Sequence, residues 1–312
     1  MDVIHFPDDM RPARWVQPVL ALGNFDGLHR GHRKILDRLR RVAGERGATS
    51  VVMTFDPHPP RVVRPDKAPP LLMTKAQKLE ALADAGIQGA AIVRFTHELS
   101  QWDPETFVRN VLVEWLHVNE VWVGANFLFG HDRTGNFSLL RVLGSRHGFR
   151  AEKIDPVRYK DFVVSSTRIR RLIAEGRVDE ASALLGHQYY VDGTVVRGEG
   201  RGRAIGFPTA NLCTENELVP PHGVYATTAT IDGIVRPSVT NVGVRPTVDS
   251  SGRVTTETHI FDFDRDLYGS TVRVGFVQRL RDERAFESID ALRTQIGADC
   301  ARARMLFSRL SL

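Results

Sequence analysis

Two cysteines, Cys213 and Cys300, are all that the 312 residues contain. So few thiols exclude a disulfide framework and a thiolate metal cage. Long apolar stretches are also missing: no uninterrupted run approaches the roughly 18 residues that a membrane-spanning helix needs. The N-terminus, MDVIHFPDDMRPARW, carries Asp2, Asp8 and Asp9 and no apolar h-region, so it does not read as a signal peptide. Neither an internal repeat nor a low-complexity tract occurs. What is present is ordinary for a globular chain, with 42% hydrophobic and 25% charged residues, which excludes intrinsic disorder. The length corresponds to about two domains. The expectation is a cytoplasmic two-domain protein with no membrane partner.

The net charge is +5. Residues 187–312 hold 15 arginines, no lysine and 15 acidic residues, so the whole excess lies in 1–186. There the basic residues are scattered along helical segments such as HRKILDRLRR, as on a solvated face. A nucleic-acid partner is therefore not expected. A weak homo-oligomer is compatible with the sequence, which does not specify an oligomeric state.

Residues 19–186 alternate between strand and helix patterns. VLALG (19–23) reads as a short buried strand leading into a helix from His32, with Ile35, Leu36, Leu39, Val42 and Ala43 on one face. SVVMTF (50–55), GAAIVRF (89–95) and EVWVG (120–124) read as further strands. Thr74 with Gln77 forms a capping-box pattern for a helix closed by Gly86. Asp103-Pro104 supplies an N-cap and N1 proline for another, burying Phe107, Val108, Val111, Leu112, Trp115 and Leu116. This rhythm predicts a parallel sheet covered on both faces. After Gly186 the pattern turns to short β-rich segments separated by turns such as Asp232-Gly233 and Ser251-Gly252, which predicts a small barrel or sandwich. From about Asp282 a helical period returns, with Phe286, Ile289, Leu292 and Ile296 on one stripe. The predicted domains are 1–186 and 187–312.

GNFDGLHRGH (23–32) stands at the turn from the first of these strands into its helix. Backbone N–H groups and the positive helix end converge there, which makes an anion site. Gly27 and Gly31 let a triphosphate approach the backbone, and His29 and His32 can donate to its oxygens. A second constellation, GEGRGRAIGFPTANL (198–212), has four glycines in nine residues. It lacks the lysine of a Walker A loop and the strand–helix context of a Rossmann fingerprint. Its main-chain N–H groups can nevertheless wrap phosphates, with Arg201 or Arg203 adding charge.

The first segment resembles the HxGH signature of the nucleotidylyltransferases. The fuller string resembles the prokaryotic bifunctional riboflavin kinase/FAD synthetase family. TFDPHP (54–59), VGANFLFG (123–130) and VSSTRIR (164–170) follow in that family's order, and the glycine-rich segment resembles its riboflavin kinase signature. The resemblance covers roughly residues 15–308. It implies a Rossmann-like α/β nucleotidylyltransferase domain, then an all-β six-stranded riboflavin kinase barrel with a C-terminal helix. The implied reactions convert riboflavin to FMN and FMN to FAD, with two ATP and Mg²⁺.

By the same resemblance His29 and His32 stabilise transfer to the ATP α-phosphorus. Gly23, Asn24, Phe25 and Gly31, with Ser165, Thr167 and Arg168, bind ATP phosphates in the first domain; Ser166 and Arg170 extend the latter motif. Gly202, Arg203 and Gly206 do so in the second, where Thr209 and Asn211 hold Mg²⁺ and Glu257 is the base. Asn126, Phe127, Arg279 and Arg281 are implied on the flavin side. Asn24 and Asp26 shape the turn or reach substrate and Mg²⁺. His58 touches the adenine side or stiffens a Pro-bounded loop. Phe127 and Phe129 stack on flavin or form a strand's core face. Asn241 and Arg245 in NVGVRPT are ligand neighbours or mark a strand end. Two rival readings are another HxGH nucleotidylyltransferase, which has no use for PTAN and Glu257, and a basic nucleic-acid-binding protein, which the neutral second half opposes.

Overall fold

The computed structural model describes residues 1–198, 200–244 and 254–310. Arg245, Glu199 and the Ser251-Gly252 turn lie outside them. The chain divides into two compact units, Met1–Pro70 with Lys75–Val164, and Leu71–Thr74 with Ser165–Leu312.

The first unit is built on six strands: β1 (Asp2–Phe6), β2 (Val19–Leu22), β3 (Ser50–Asp56), β4 (Gly89–Arg94), β5 (Glu120–Gly124) and β6 (Arg150–Ile154). They run in the order β1-β4-β3-β2-β5-β6, and every pairing is parallel. Strands β2, β3 and β4 are almost continuously apolar because both sheet faces are covered. The chain leaves β2 for β3 on one side and later places β5 on the other. The carboxyl ends of β2 and β5 therefore flank the switch point where open α/β sheets bind ligands. Helix α1 (Arg30–Arg46) buries the stripe Ile35, Leu36, Leu39, Val42 and Ala43 and ends at Gly47, whose φ is 61°. Helix α2 is Lys75–Asp84. Asp103 caps the turn Pro104–Phe107 by accepting from the Thr106 N–H. Beyond it the backbone widens into a π-helical stretch, Val108–Trp115, and keeps Val108, Val111 and Leu112 buried. Helix α3 (Phe137–His147) precedes β6.

The second unit opens with α4 (Ser166–Ala174) and α5 (Val178–Leu185). Six strands follow: β7 (Tyr189–Val196), β8 (Ala210–Thr214), β9 (Gly223–Ile231), β10 (Ile234–Val244), β11 (Val254–Ile260) and β12 (Thr271–Arg281). They close into an antiparallel barrel in the order β7-β8-β11-β10-β9-β12. Inside it Thr227, Ser238, Thr240 and Thr258 are buried and satisfy one another through hydroxyl contacts of 2.7–2.9 Å. Helix α6 (Ile289–Leu310) covers one outer face with Cys300, Ala303 and Phe307 against Val224, Ala226, Val239 and Leu280. It begins at Ile289, later than the helical period from Asp282 suggests. Phe286 does not join its stripe and lies beneath the guanidinium groups of Arg281 and Arg284.

Candidate active sites

The HxGH segment leaves β2 as a tight left-handed turn. Phe25 (φ 48°), Gly27 (φ 85°) and Leu28 (φ 36°) all lie in the region that L side chains avoid. His29 is the N-cap of α1, and its Nδ1 accepts the His32 N–H at 3.2 Å. In the neutral ring the proton is then on Nε2. The rings of His29 and His32 stack with centroids 3.7 Å apart, and Phe25 packs on His32 at 5.0 Å. A Cβ at Gly31 would meet the His29 ring at 3.1 Å, so any larger residue there would press on the stacked rings. Burial first, then the electrostatic influence of the adjoining His29 ring and of Lys78, holds the His32 pKa well below the ordinary value of 6.5.

Asn24 is exposed, but its carbonyl points inward and accepts from Thr54 Oγ1 at 3.0 Å and Lys78 Nζ at 2.8 Å. Asp26 is buried in the same turn. Lys78 lies on the buried face of α2, and sequence reasoning missed it: KAQKLEALAD carries no signal that distinguishes one lysine from another. After β5, Asn126 is exposed and Phe127 stacks on Phe129 at 5.4 Å, with Phe129 in the core. Of the two sequence readings for these aromatics, Phe129 thus follows the core one. His58 is buried at the start of the turn Pro59–Val63. In the second unit, Ser165 caps α4 by accepting the Arg168 N–H at 3.3 Å, and Thr167 is exposed.

On the barrel, three strands bring the second group of predicted residues into one row. Asn211 pairs with Glu257 across β8 and β11, and Glu257 pairs with Asn241 across β11 and β10. All three are half-buried, and residues in register put their side chains on the same face. The glycine-rich segment folds back towards this row. Gly200 (φ 73°) precedes the turn Arg201–Ala204, and the Phe207 N–H donates to the Gly202 carbonyl at 2.8 Å. A Cβ on Gly198 would lie 2.3 Å from Asn211 Nδ2, and one on Gly202 would lie 3.2 Å from Thr209 Oγ1. Gly206 takes φ 88°, and Arg203 is exposed.

Arg279 and Arg281 stand at the end of β12. The Arg281 guanidinium is taken up by Asp299 of α6 at 2.8 Å, and both groups are largely buried. Arg279 donates to the His222 carbonyl at 2.7 Å and packs beside Gly176.

Comparison with known proteins accords with this geometry. The family model for FAD synthetase matches residues 12–168, and that for riboflavin kinase matches residues 185–307. A bifunctional riboflavin kinase/FMN adenylyltransferase from Pseudomonas fluorescens is 40% identical over 92% of this chain and 92% of its own length. Its counterpart from Escherichia coli (strain K12) is 37% identical over 93% and 92%. A crystal structure described as a macrolide-efflux protein from Streptococcus pneumoniae superposes with a TM-score of 0.88 at 30% identity, over 97% of this chain and 99% of that one. Among the described residues of the present chain, no helix is long and apolar enough to cross a membrane. The parallel sheet, the six-stranded barrel, both family models and full-length relatives at these identities converge, and the chain belongs to the bifunctional riboflavin kinase/FMN adenylyltransferase family.

Proposed function

We propose that this chain phosphorylates riboflavin to FMN with one ATP and transfers the adenylyl group of a second ATP to FMN, yielding FAD and pyrophosphate. The Asn211–Glu257–Asn241 row beside the glycine-rich loop carries this reading, because a nucleotidylyltransferase acting alone has no use for it. Residues 1–186 serve as the adenylyltransferase and 187–312 as the kinase. Riboflavin, FMN, FAD and ATP are the ligands, with no nucleic acid or membrane partner and a cytoplasmic site of action.

In the kinase step Glu257 removes the proton from the ribityl 5′-hydroxyl as that oxygen attacks the γ-phosphorus, the bond from the γ-phosphorus to the bridging oxygen breaks, and ADP leaves. A placed base of this kind contributes roughly 10²–10⁴-fold. Main-chain N–H groups around Gly202 and Gly206, with Arg203, hold the phosphates of ATP. Thr209 and Asn211 fit Mg²⁺: they offer neutral hard oxygens beside a glycine cradle, where Gly198 leaves no room for a Cβ next to Asn211. Among the described residues no group of three His, Cys, Asp or Glu gathers that could hold a metal by itself. A cation bound through few protein oxygens and several phosphate oxygens is the usual magnesium arrangement. When bound, Mg²⁺ neutralises charge building on the β- and γ-phosphates.

In the adenylyl step an FMN phosphate oxygen attacks the α-phosphorus and pyrophosphate leaves. Both reactants are anions, so the protein's work is orientation and charge stabilisation. His29 donates from Nε2 and His32 from its own ring. Gly23, Asn24, Phe25 and Gly31 shape the phosphate-binding backbone, and by the family resemblance Ser165, Thr167 and Arg168 bind ATP phosphate. Asn126 and Phe127 are assigned to the flavin of this step, and Arg279 and Arg281, the latter oriented by its pair with Asp299, to the flavin of the kinase step. Incubating the purified protein with riboflavin, ATP and Mg²⁺ tests the reading: FMN followed by FAD supports it, and unchanged riboflavin and FMN refute it.

A further inference from the structure

We propose that Lys78 is a positioning residue for nucleotidyl transfer: from α2 its ammonium holds the Asn24 carbonyl, and through it the left-handed turn Phe25–Leu28 that aims His29 and His32 at the nucleotide phosphates. This inference rests on the adenylyltransferase reading of the first unit.

A lysine is an expensive choice at this position. Only 8% of it is exposed, on the same helix face as Gln77 and Leu82. Burying an ammonium is unfavourable unless hydrogen bonds and opposite charge compensate. Here desolvation lowers the Lys78 pKa, the charges of Asp26 and Asp56 oppose that shift, and Lys75 adds to it. A leucine or methionine would fill the same space without this cost. What the ammonium adds is its hydrogen bond of 2.8 Å to the Asn24 carbonyl, the last peptide oxygen before the backbone enters its left-handed turn. Thr54 Oγ1 donates to the same oxygen from β3. Two donors from two separate elements therefore fix the entrance to the turn, while the Asn24 side chain stays exposed.

The turn needs such an anchor. Phe25 and Leu28 are L residues at positive φ, a conformation held only where the surroundings impose it. The N-cap His29 and the first turn of α1 follow directly, so movement at Asn24 is passed to both imidazoles. Lys78 also acts through charge. Its ammonium is one of the groups that disfavour protonation of His32, and so keeps that ring neutral beside an anionic substrate.

The test compares Lys78→Met, Lys78→Arg and Thr54→Val with the full-length wild type. FAD formation from FMN and ATP is measured alongside riboflavin phosphorylation, which reports on the other unit. For Lys78→Met the kcat for FAD formation falls about 10–100-fold, the range expected for misplacing a catalytic group by about an ångström. The KM for ATP changes far less, because the loss lies in orientation and not in uniform binding. The acidic limb of kcat/KM moves to higher pH, since a charge that disfavours His32 protonation is gone. Lys78→Arg restores part of the rate and moves the limb back. Thr54→Val, which removes one of the two donors, lowers kcat about threefold to tenfold, the scale of one hydrogen bond. Riboflavin phosphorylation is unchanged throughout.

Wild-type kcat and pH profile in Lys78→Met overturn the inference while leaving the functional reading intact. A wild-type enzyme that makes no FAD overturns both. If Lys78→Met does not fold, Thr54→Val decides alone: a fall confined to FAD formation supports the anchor, and an unchanged rate overturns it.

Discussion

His29 caps the helix on which His32 sits, accepting the His32 N–H at Nδ1 while the two rings stack 3.7 Å apart. Structure and chemistry are joined in this pair, and substitution can separate them. His29→Asn keeps a good N-cap residue and loses the imidazole, whereas His29→Ala loses both. Each is expected to lower kcat for FAD formation about 10²–10³-fold, the usual cost of one transition-state donor. Only His29→Ala also loses about 1 kcal/mol of stability, seen as a lower unfolding midpoint in urea. FMN formation stays at the wild-type rate in both.

Glu257 stands in register between Asn211 and Asn241. Glu257→Gln preserves shape and removes the base. FMN formation is expected to fall about 10²–10⁴-fold, with FAD formation from supplied FMN unaffected. Chromatography of flavins from the two half-reactions checks both statements, and equal loss of the two activities in folded protein contradicts separate sites.

Acid acts on the first unit through His32. Its folded-state pKa lies well below 6.5, first because the ring is buried and then because of His29 and Lys78. The unfolded chain therefore binds the proton more readily. This group's contribution to stability is complete above about pH 6.5 and is lost as the pH falls from there through the folded-state value. NMR titration of the imidazole resonances should show a histidine with a midpoint well below 6.5, absent in His32→Ala. Urea midpoints of wild type should decline below pH 6.5 more steeply than those of the variant.

Arg281 and Asp299 join the end of the barrel's last strand to α6 through a pair that is 19% and 7% exposed. Removing one partner of such a pair strands a charge. Asp299→Ala is therefore expected to cost about 3–5 kcal/mol of stability in the second unit. Denaturant unfolding followed by far-UV circular dichroism measures it. A loss below 1 kcal/mol would place the pair outside the fold's main supports.

Much of this was legible in the sequence, for identifiable reasons. The stripe from Ile35 to Ala43 has an unbroken helical period, and all five residues are buried on α1. Asp103 before Pro104 announced its cap, and the glycines and histidines of 23–32 are dense enough to mark a turn without help from the rest of the chain. Other features depend on partners far away in sequence. Asp2–Phe6 forms an edge strand only because β4 pairs with it, and its own pattern is too short and too polar to signal that. Phe286 continues a helical period yet lies beneath two guanidinium groups from outside that period's stripe, and α6 begins only at Ile289. Lys78 matters because of what lies above it, a carbonyl 54 residues earlier in the chain.

The most direct test of two chemistries in one chain is a pair of variants in a single assay. His32→Ala and Glu257→Ala are each incubated with riboflavin, ATP and Mg²⁺, then separately with FMN, ATP and Mg²⁺, and the flavins are resolved by chromatography. His32→Ala is expected to accumulate FMN and make no FAD from either substrate, while Glu257→Ala leaves riboflavin untouched and converts FMN to FAD. Loss of both conversions in either folded variant, or FAD formation by His32→Ala at the wild-type rate, would contradict that expectation.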